Sequence, residues 1–200
     1  MIEKAEPGMA NEAGQFLRAF LRHPARVGAI APSSPYLARE MVRGLEVPPG
    51  RCVLEFGPGT GPFTAELRRV TGRDGYLGIE REPQFVDMLM RRFPDMRFVN
   101  ASAADAVSLH AESGLGPVHA VICGLPFASL PPSVQDGIVE ALDQLLPPGC
   151  MFRTFQYVHA YGLPTAVRFR RRMAELFGRH ERSKPVLRNI PPAYVLTWRR

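Results

Sequence analysis

Short apolar runs alternate with amphipathic stretches along most of this 200-residue chain. The segments RCVLEF, GYLGIE, MRFVN, HAVICG and MFRTFQY are rich in Val, Ile, Leu and Phe, as buried strands are. Residues 64–70, 83–93 and 133–146 lie between these runs and have the apolar spacing of helices. Strand and helix in this rhythm predict an α/β fold, in which a mostly parallel sheet carries helices on both faces.

Both ends of the chain extend this pattern. A helix is predicted over 165–177, and two apolar runs follow it on either side of residues 189–192. These runs indicate an antiparallel pair that completes a seven-stranded sheet. Before the first strand, the spacing predicts helices over 11–21 and 35–45, joined by the turn-rich APSSP. We therefore expect a helical extension over residues 1–45 and one α/β domain over 46–200.

The composition agrees with a single domain, since 46% of the residues are apolar and 22% are charged. Cys52, Cys123 and Cys150 are odd in number and lie in or beside apolar runs, so we expect buried thiols in a reducing compartment. The five histidines lack the spacing of a metal site, so no metal is expected. Neither a secretory leader nor a membrane span is predicted, so a cytoplasmic location is expected.

The net charge is +6, and 23 of the 25 basic residues are arginine. Arginine's planar fork suits phosphate oxygens, so the charge favours a polyanionic partner such as lipid headgroups or nucleic acid. Codon usage in a GC-rich genome explains the choice of arginine over lysine equally well.

A glycine-rich segment, VLEFGPGTGPFTAEL, follows the first predicted strand. A dinucleotide fingerprint needs a third glycine at position 62, where this chain has Pro62, and no Gly-Lys-Ser/Thr follows as in a Walker loop. The remaining pattern is E-x-G-x-G-x-G, in which the acid ends the strand and the glycines let the backbone approach a ligand. Such a loop suits a nucleoside that carries an amino-acid tail.

This pattern resembles that of the class I S-adenosylmethionine (SAM) methyltransferases, which have a Rossmann-like fold, and the resemblance extends over the whole chain. It implies that Glu80 accepts the ribose hydroxyls and that Glu55 and the loop hold the methionine portion of SAM. Ser102 stands where the family places an adenine contact, with Asp105 as the alternative. A plain glycine turn with an ordinary surface Glu80 is the competing interpretation. The full set of expected cofactor residues is Glu55, Gly57, Pro58, Gly59, Gly61, Glu80, Arg81, Ser102, Ala103, Gly124, Ser33 and Ser34.

The segment ICGLPFASLP follows the fourth predicted strand, where methyltransferases acting on adenine amino groups usually carry Asn or Asp. That polar residue accepts hydrogen bonds from a conjugated amine, and here Gly124 takes its place. An aliphatic amine has an available lone pair once it is deprotonated. The glycine therefore argues against adenine and for an alkylamine.

A closer resemblance is to the bacterial phospholipid N-methyltransferases, which convert phosphatidylethanolamine to phosphatidylcholine. It rests on AIAPSSPYLAREM, the Gly-Leu-Pro block, the aromatic FRTFQY and the C-terminal RNIPPAYVLTWRR. Related enzymes methylate other amino lipids, including ornithine lipids. The resemblance implies a phospholipid substrate, S-adenosylhomocysteine as the second product, and a site that includes Leu125 and Pro126. The further site candidates are aromatic: Phe127, Tyr36 and Tyr157, of which Tyr157, at a predicted strand end, is preferred.

The three aromatic residues of this set are candidates to stabilise the methylated cation, although each is equally compatible with a place in the core. Ser33 and Ser34 are expected to contact SAM or a lipid phosphate, or else only to cap a helix.

The N-terminal stretch predicts a route to the membrane. Ala13, Phe16, Leu17, Phe20 and Leu21 share one helical face, and Gln15, Arg18 and Arg22 lie opposite. Such a helix can lie on an anionic membrane, or it can pack on the protein's own core. A second cluster, formed by Arg168, Arg170, Arg171 and Arg172, either widens this basic footprint or is a solvated helix face. We therefore expect peripheral association with the inner membrane and no obligate protein partner.

Two other functions remain open at this point. The basic charge and the likeness of GLPF to Asn-Leu-Pro-Phe/Tyr favour an RNA methyltransferase related to the adenine dimethylases, although Gly124 argues against nucleic acid as the substrate. A SAM-binding or lipid-binding module without turnover is the third interpretation.

Overall fold

The computed structural model describes residues 33–72 and 74–200. The predicted helix over 11–21 lies outside these residues. The described part contains seven strands and six α-helices. In chain order they are α1 (Pro35–Val42), β1 (Cys52–Phe56), α2 (Pro62–Thr71), β2 (Tyr76–Glu80), α3 (Pro83–Arg92), β3 (Phe98–Asn100), α4 (Ala106–Ser113), β4 (Val118–Cys123), α5 (Pro132–Leu145), β5 (Met151–Tyr157), α6 (Pro164–Phe177), β6 (Glu181–Arg182) and β7 (Ala193–Arg199).

The strands form one sheet in the order β3-β2-β1-β4-β5-β7-β6. Strands β1 to β5 are parallel, and β7 runs antiparallel to β5 and β6. The predicted Rossmann-like sheet with a C-terminal antiparallel pair is thus confirmed. The chain reverses its direction of progress between β1 and β4, and ligands of open α/β sheets bind at the carboxyl ends of the strands beside such a switch point.

Two apolar layers enclose the sheet. On one face α1, α2 and α3 pack with Leu37, Leu67 and Leu89, all fully buried. On the other face α4, α5 and α6 cover a layer that includes Phe169 and Trp198. The strands between these layers are apolar on both sides, which explains why they appear in the sequence as continuous apolar runs.

The helix α4 was missed by the sequence analysis. Of its eight residues, only Ala106 is buried, so the segment carries no clear apolar stripe. The two strands of the C-terminal antiparallel pair are unequal in length, since β7 spans seven residues and β6 only two.

A buried arginine fastens α1 to the sheet. Arg153, in β5, is only 7% exposed and donates from Nη1 to the carbonyls of Met41 (3.0 Å) and Arg43 (2.9 Å). Its Nε donates to the hydroxyl of Thr197, directly opposite on β7. These bonds satisfy carbonyls at the end of α1, so the part of the N-terminal extension that the structure describes is continuous with the domain's core.

Candidate active site

The glycine loop connects β1 to α2 at the carboxyl edge of the sheet. Gly57, Gly59 and Gly61 have φ angles of 66°, 58° and 83°, in the left-handed region that favours glycine. At Gly57 a Cβ atom would also lie 2.5 Å from the side chain of Leu125. Pro62 then begins α2, where no amide hydrogen is needed.

Glu80 ends β2 and holds this loop. The Gly59 amide donates to its Oε2 (2.9 Å), and the Glu82 amide donates to its Oε1 (3.0 Å). The carboxyl group is nearly buried, and this burial raises its pKa, although the amide bonds partly offset the effect. Glu80 is therefore a structural partner of the loop as well as a candidate ligand residue, and not an ordinary surface acid.

A cleft with an empty volume of about 440 Å³ opens beside Glu80. It contains six of the residues predicted for the site, and the structure adds an apolar wall that the sequence analysis missed, to which α5, β2 and the segments after β3 and β4 contribute. The predicted members are Gly57, Glu80, Arg81, Ser102, Ala103 and Leu125, and the added ones are Ile79, Ala101, Leu130, Val134 and Ile138. A cleft that combines an acid with an apolar wall fits a ribose joined to a flat base.

The two alternatives for the adenine contact separate in space. Ser102 lines the cleft, whereas Asp105 is exposed and is not among the lining residues. The Ser102 hydroxyl accepts a hydrogen bond from the Ala104 amide (3.2 Å) and so caps the short turn that follows β3.

Glu55 lies under the glycine loop in full burial. Its Oε2 accepts hydrogen bonds from the hydroxyls of Tyr76 and Thr64, the latter at 2.8 Å. Desolvation raises the pKa of this carboxyl to about 7. Its Oε1 has no hydrogen-bond partner among the described residues, so an amino-acid ammonium group would bring it a donor. This orphaned oxygen fits the predicted role toward the methionine portion of SAM, which stays a prediction.

Gly124 lies where β4 leaves the sheet, pressed against the end of β1. Its amide donates to the carbonyl of Phe56 (2.8 Å), and a Cβ atom on it would lie 2.6 Å from the carbonyl oxygen of Gly57. A backbone atom cannot yield as a flexible side chain can. An Asn or Asp at this position would therefore displace the glycine loop.

A second cavity, with an empty volume of about 500 Å³, lies on the other side of the same segment. Leu125 lines the cleft, and the next residue, Pro126, lines this second cavity. Its wall is largely apolar and aromatic: Pro126, Phe127, Ala128, Ser129, Phe155, Gln156, Tyr157, His159, Ala160 and Leu163. The block after β4 thus separates two compartments, as a cofactor site and a substrate site would need.

Tyr157 is the aromatic candidate that meets this expectation best. It ends β5, is partly buried, and burial raises the pKa of its hydroxyl. Its ring packs edge to face against Phe155 and parallel to His159, with centroids 5.4 and 5.7 Å apart. The sequence analysis considers the histidines only as metal ligands, and the position of His159 two residues beyond Tyr157 is the one signal of its place in the cavity.

The other two aromatic candidates differ from Tyr157 in their surroundings. Phe127 is fully buried and stacks on Phe169 at 3.8 Å, so its ring belongs to the core and offers no open face to a cation. Tyr36 is 43% exposed and lines a separate recess, where its hydroxyl accepts a hydrogen bond from Arg188 (3.0 Å). One ring thus lies in the core behind the second cavity and the other in a separate recess, and their role toward a substrate amine stays a prediction.

The serine pair acts locally. Ser34 caps α1, accepting from the Leu37 amide (3.2 Å), and its own amide donates to Asn189 Oδ1 (2.9 Å). Ser33 lines a surface recess with Thr60 and Pro62, at the outer side of the glycine loop. The capping alternative therefore applies to Ser34.

The arginine cluster on α6 is largely engaged within the fold. Arg168 forms an ion pair with Asp136 (2.7 Å), Arg170 donates to Gln156 (2.6 Å), and Arg172 pairs with Glu175 (3.0 Å).

Within residues 33–72 and 74–200, no helix is long and apolar enough to cross a membrane, and no cluster of acids, histidines and cysteines is suited to a metal ion.

The raised pKa of Glu55 predicts a pH-dependent stability. The folded chain binds this proton more tightly than the unfolded chain, in which the pKa is near 4.5, so the contribution is full below that value and is lost as the pH rises to about 7. Glu55→Gln removes the titration. We expect the free energy of unfolding of wild type to fall by about 3 kcal/mol relative to the variant across this window, measured by urea denaturation. If the free energies of unfolding of wild type and variant changed in parallel with pH, the prediction would be wrong. Glu112→Gln, at an exposed position, is the control.

A second prediction concerns Glu80. Glu80→Gln removes the ionised acceptor, so the dissociation constant for SAM, measured by calorimetry, should rise about tenfold to hundredfold. Glu112→Gln should leave it unchanged. Unaltered affinity in a folded Glu80→Gln protein would remove Glu80 from the cofactor site.

Comparison with known proteins identifies the family. The family model for protein-L-isoaspartate(D-aspartate) O-methyltransferase matches residues 13–117. An ornithine lipid N-methyltransferase of Singulisphaera acidiphila is 32% identical over 141 residues, which cover 68% of this chain and 73% of that protein. A protein-L-isoaspartate O-methyltransferase of Yersinia pestis is 31% identical over 147 residues, which cover 68% of each.

Solved structures agree on the fold. A TehB-like SAM-dependent methyltransferase from Corynebacterium glutamicum superposes with a TM-score of 0.60 at 14% identity, covering 98% of this chain and all of that one. Aeropyrum pernix fibrillarin, solved with bound SAM, gives a TM-score of 0.59 at 14% identity, covering 82% and 75%. The chain belongs to the SAM-dependent methyltransferases, in the family that the protein-L-isoaspartate O-methyltransferase model describes.

Proposed function

We propose that this enzyme transfers methyl groups from SAM to the amine of a membrane amino lipid, with phosphatidylethanolamine and ornithine lipid as the two candidate substrates. The observation that carries the proposal is the closed contact at Gly124. Because a side chain there would strike the Gly57 carbonyl, the strand end cannot present the polar acceptor that a conjugated amine requires. An alkylamine needs no such acceptor.

The second cavity suits an alkylamine. An ammonium group at neutral pH must lose a proton before it can attack, and an apolar wall disfavours the charged form. The methyl group of SAM is already activated by its sulfonium, so the protein's task is to position a neutral amine near it. Tyr157 then provides an aromatic face to the cation that forms, an interaction of about 0.5–2 kcal/mol.

The comparisons bear on the choice between substrates. The Singulisphaera relative is named for ornithine lipid, which supports an amino lipid as the substrate class. The sequence blocks described above support phosphatidylethanolamine. We place the enzyme at the cytoplasmic side of the inner membrane as a peripheral protein, since a lipid substrate requires an interface. S-adenosylhomocysteine is the second product.

Isoaspartyl O-methylation is the second candidate, because the matching family model and the Yersinia relative carry that name. It would require a site for a carboxylate. Among the described residues that line the second cavity, none is Arg or Lys, so neither of these side chains is offered to a carboxylate there.

A substrate assay distinguishes these activities. Radiolabelled SAM should be incubated with vesicles containing phosphatidylethanolamine, vesicles containing ornithine lipid, an isoaspartyl peptide, and total RNA, in parallel. We expect label in one or both lipids and none in peptide or RNA. Label in the peptide alone would establish the carboxylate reaction, and label in RNA alone would contradict the argument from Gly124.

Tyr157 tests the substrate cavity itself. Tyr157→Leu should weaken inhibition by the fully methylated lipid product about twofold to thirtyfold, because the aromatic face is lost. Tyr157→Phe is the matched control, since it keeps the ring and removes only the hydroxyl. Equal inhibition constants in wild type and the Leu variant would show that Tyr157 does not face the cation.

A further inference from the structure

The hairpin tip between Val186 and β7 presents two large apolar side chains to solvent. Leu187 and Ile190 are 71% and 72% exposed, whereas no other large apolar side chain of the described residues exceeds 48%. Arg188, between them, is also exposed. Leaving two such side chains in water forgoes the stabilisation that their burial would contribute, which points to a surface that is covered in use.

The tip is held in this arrangement by buried hydrogen bonds. Asn189, only 2% exposed, donates from Nδ2 to the Pro191 carbonyl (2.7 Å), and its Oδ1 accepts from the Ser34 amide (2.9 Å). The Val186 amide donates to the Ala193 carbonyl (2.8 Å) and closes the hairpin. Since Asn189 anchors the turn inward, its neighbours Leu187 and Ile190 remain on the outside.

This tip lies at the carboxyl edge of the sheet, beside the second cavity. Ala193 pairs with Tyr157, and the Val158 amide donates to the Pro192 carbonyl (2.8 Å). Two more exposed apolar side chains, Val158 (38%) and Leu163 (46%), belong to the segment after Tyr157, and Leu163 lines the cavity. The exposed apolar side chains therefore lie at the same edge of the sheet as the second cavity.

Basic side chains flank the tip. Arg188 stacks over Tyr36, with its guanidinium carbon 4.8 Å from the ring centroid, and Arg39 lies over the same ring at 5.7 Å. The side chains of Arg39 and Arg43 are 63% and 78% exposed, and each forms an ion pair, with Glu66 (4.0 Å) and Glu40 (3.1 Å) respectively. Lys184 is also exposed. Apolar side chains bordered by arginine and lysine are suited to the interface of an anionic bilayer, where the apolar groups enter and the cations meet phosphates.

We propose that the tip formed by residues 187–190 inserts into an anionic lipid bilayer and brings the entrance of the second cavity against the headgroups. The residues of this tip are not part of the amphipathic stretch predicted over 11–21, which lies outside the described residues. The proposal takes its substrate from the proposed function, but membrane binding through the tip is measured independently of turnover.

The first experiment compares two double variants of the full chain in sedimentation with vesicles of phosphatidylcholine and phosphatidylglycerol. Leu187→Gln with Ile190→Gln should lower the partition constant roughly tenfold. The matched control is Val70→Gln with Met90→Gln, two exposed apolar residues near the ends of α2 and α3 at the opposite edge of the sheet, and it should bind as wild type does. Equal binding by both variants would overturn the proposal.

The second experiment reports insertion directly. The three native cysteines are buried, so a fluorescent NBD label can be directed to Leu187→Cys or, as a control, Met90→Cys. We expect an emission blue shift on adding vesicles at position 187 only. An emission at 187 that is already blue-shifted without vesicles, and unchanged by them, would show that protein covers the tip and would overturn the proposal.

The proposal and the proposed function fail in distinguishable ways. A short-chain amino lipid below its micelle concentration presents the amine without an interface. If the variant with Leu187→Gln and Ile190→Gln methylates this lipid as wild type does but loses activity on vesicles, both the proposed function and the proposed docking surface are supported. If wild type modifies no amino lipid in either form, the function fails, while the label shift still decides the docking surface.

Discussion

The architecture of the site depends on one close contact, between the backbone of Gly124 at the end of β4 and the backbone of β1. The Gly124 amide bonds to the Phe56 carbonyl, and the Gly57 carbonyl occupies the space that a side chain would need. The contact holds the glycine loop and the Gly-Leu-Pro-Phe segment together. Leu125 can then line the cleft while Pro126 lines the second cavity, so that the two cavities share this segment as a wall.

Other parts of the structure support that wall. Gln135, buried in α5, donates to the Phe127 carbonyl (2.6 Å), and the Phe127 ring stacks on Phe169 from α6. Glu80 holds the opposite side of the cleft through the Gly59 amide. The raised pKa values of the two buried acids, Glu55 and Glu80, reflect the burial that this arrangement imposes. Such acids suit a site for a cationic cofactor. Burial disfavours the ionised carboxylate, and the positive charge of the bound ligand would favour it.

Much of the fold was predictable from the sequence, since every strand from β1 to β5 is a short apolar run and the glycine loop follows an acid at a strand end. The position of Glu80 at the end of β2 was predictable for the same reason, whereas its role toward SAM came from the family resemblance and stays a prediction. The α4 helix was not predictable, because only Ala106 faces the core. The places of Phe127 and Tyr36 were not predictable either. The sequence does not distinguish an aromatic side chain that stacks in the core, as Phe127 does on Phe169, from one that lines a cavity. The sequence shows that Gly124 stands in place of an Asn. Only the structure shows why a side chain does not fit there, because the Gly57 carbonyl occupies the space.

The most direct test of the account is a crystal structure of the full chain with S-adenosylhomocysteine. The account predicts the ribose hydroxyls within hydrogen-bond distance of the Glu80 carboxylate, the adenine against the wall of Ile79, Val134 and Ile138, and the sulfur directed past Pro126 toward the second cavity. A sulfur directed away from that cavity, or a ribose remote from Glu80, would contradict the assignment of the two compartments.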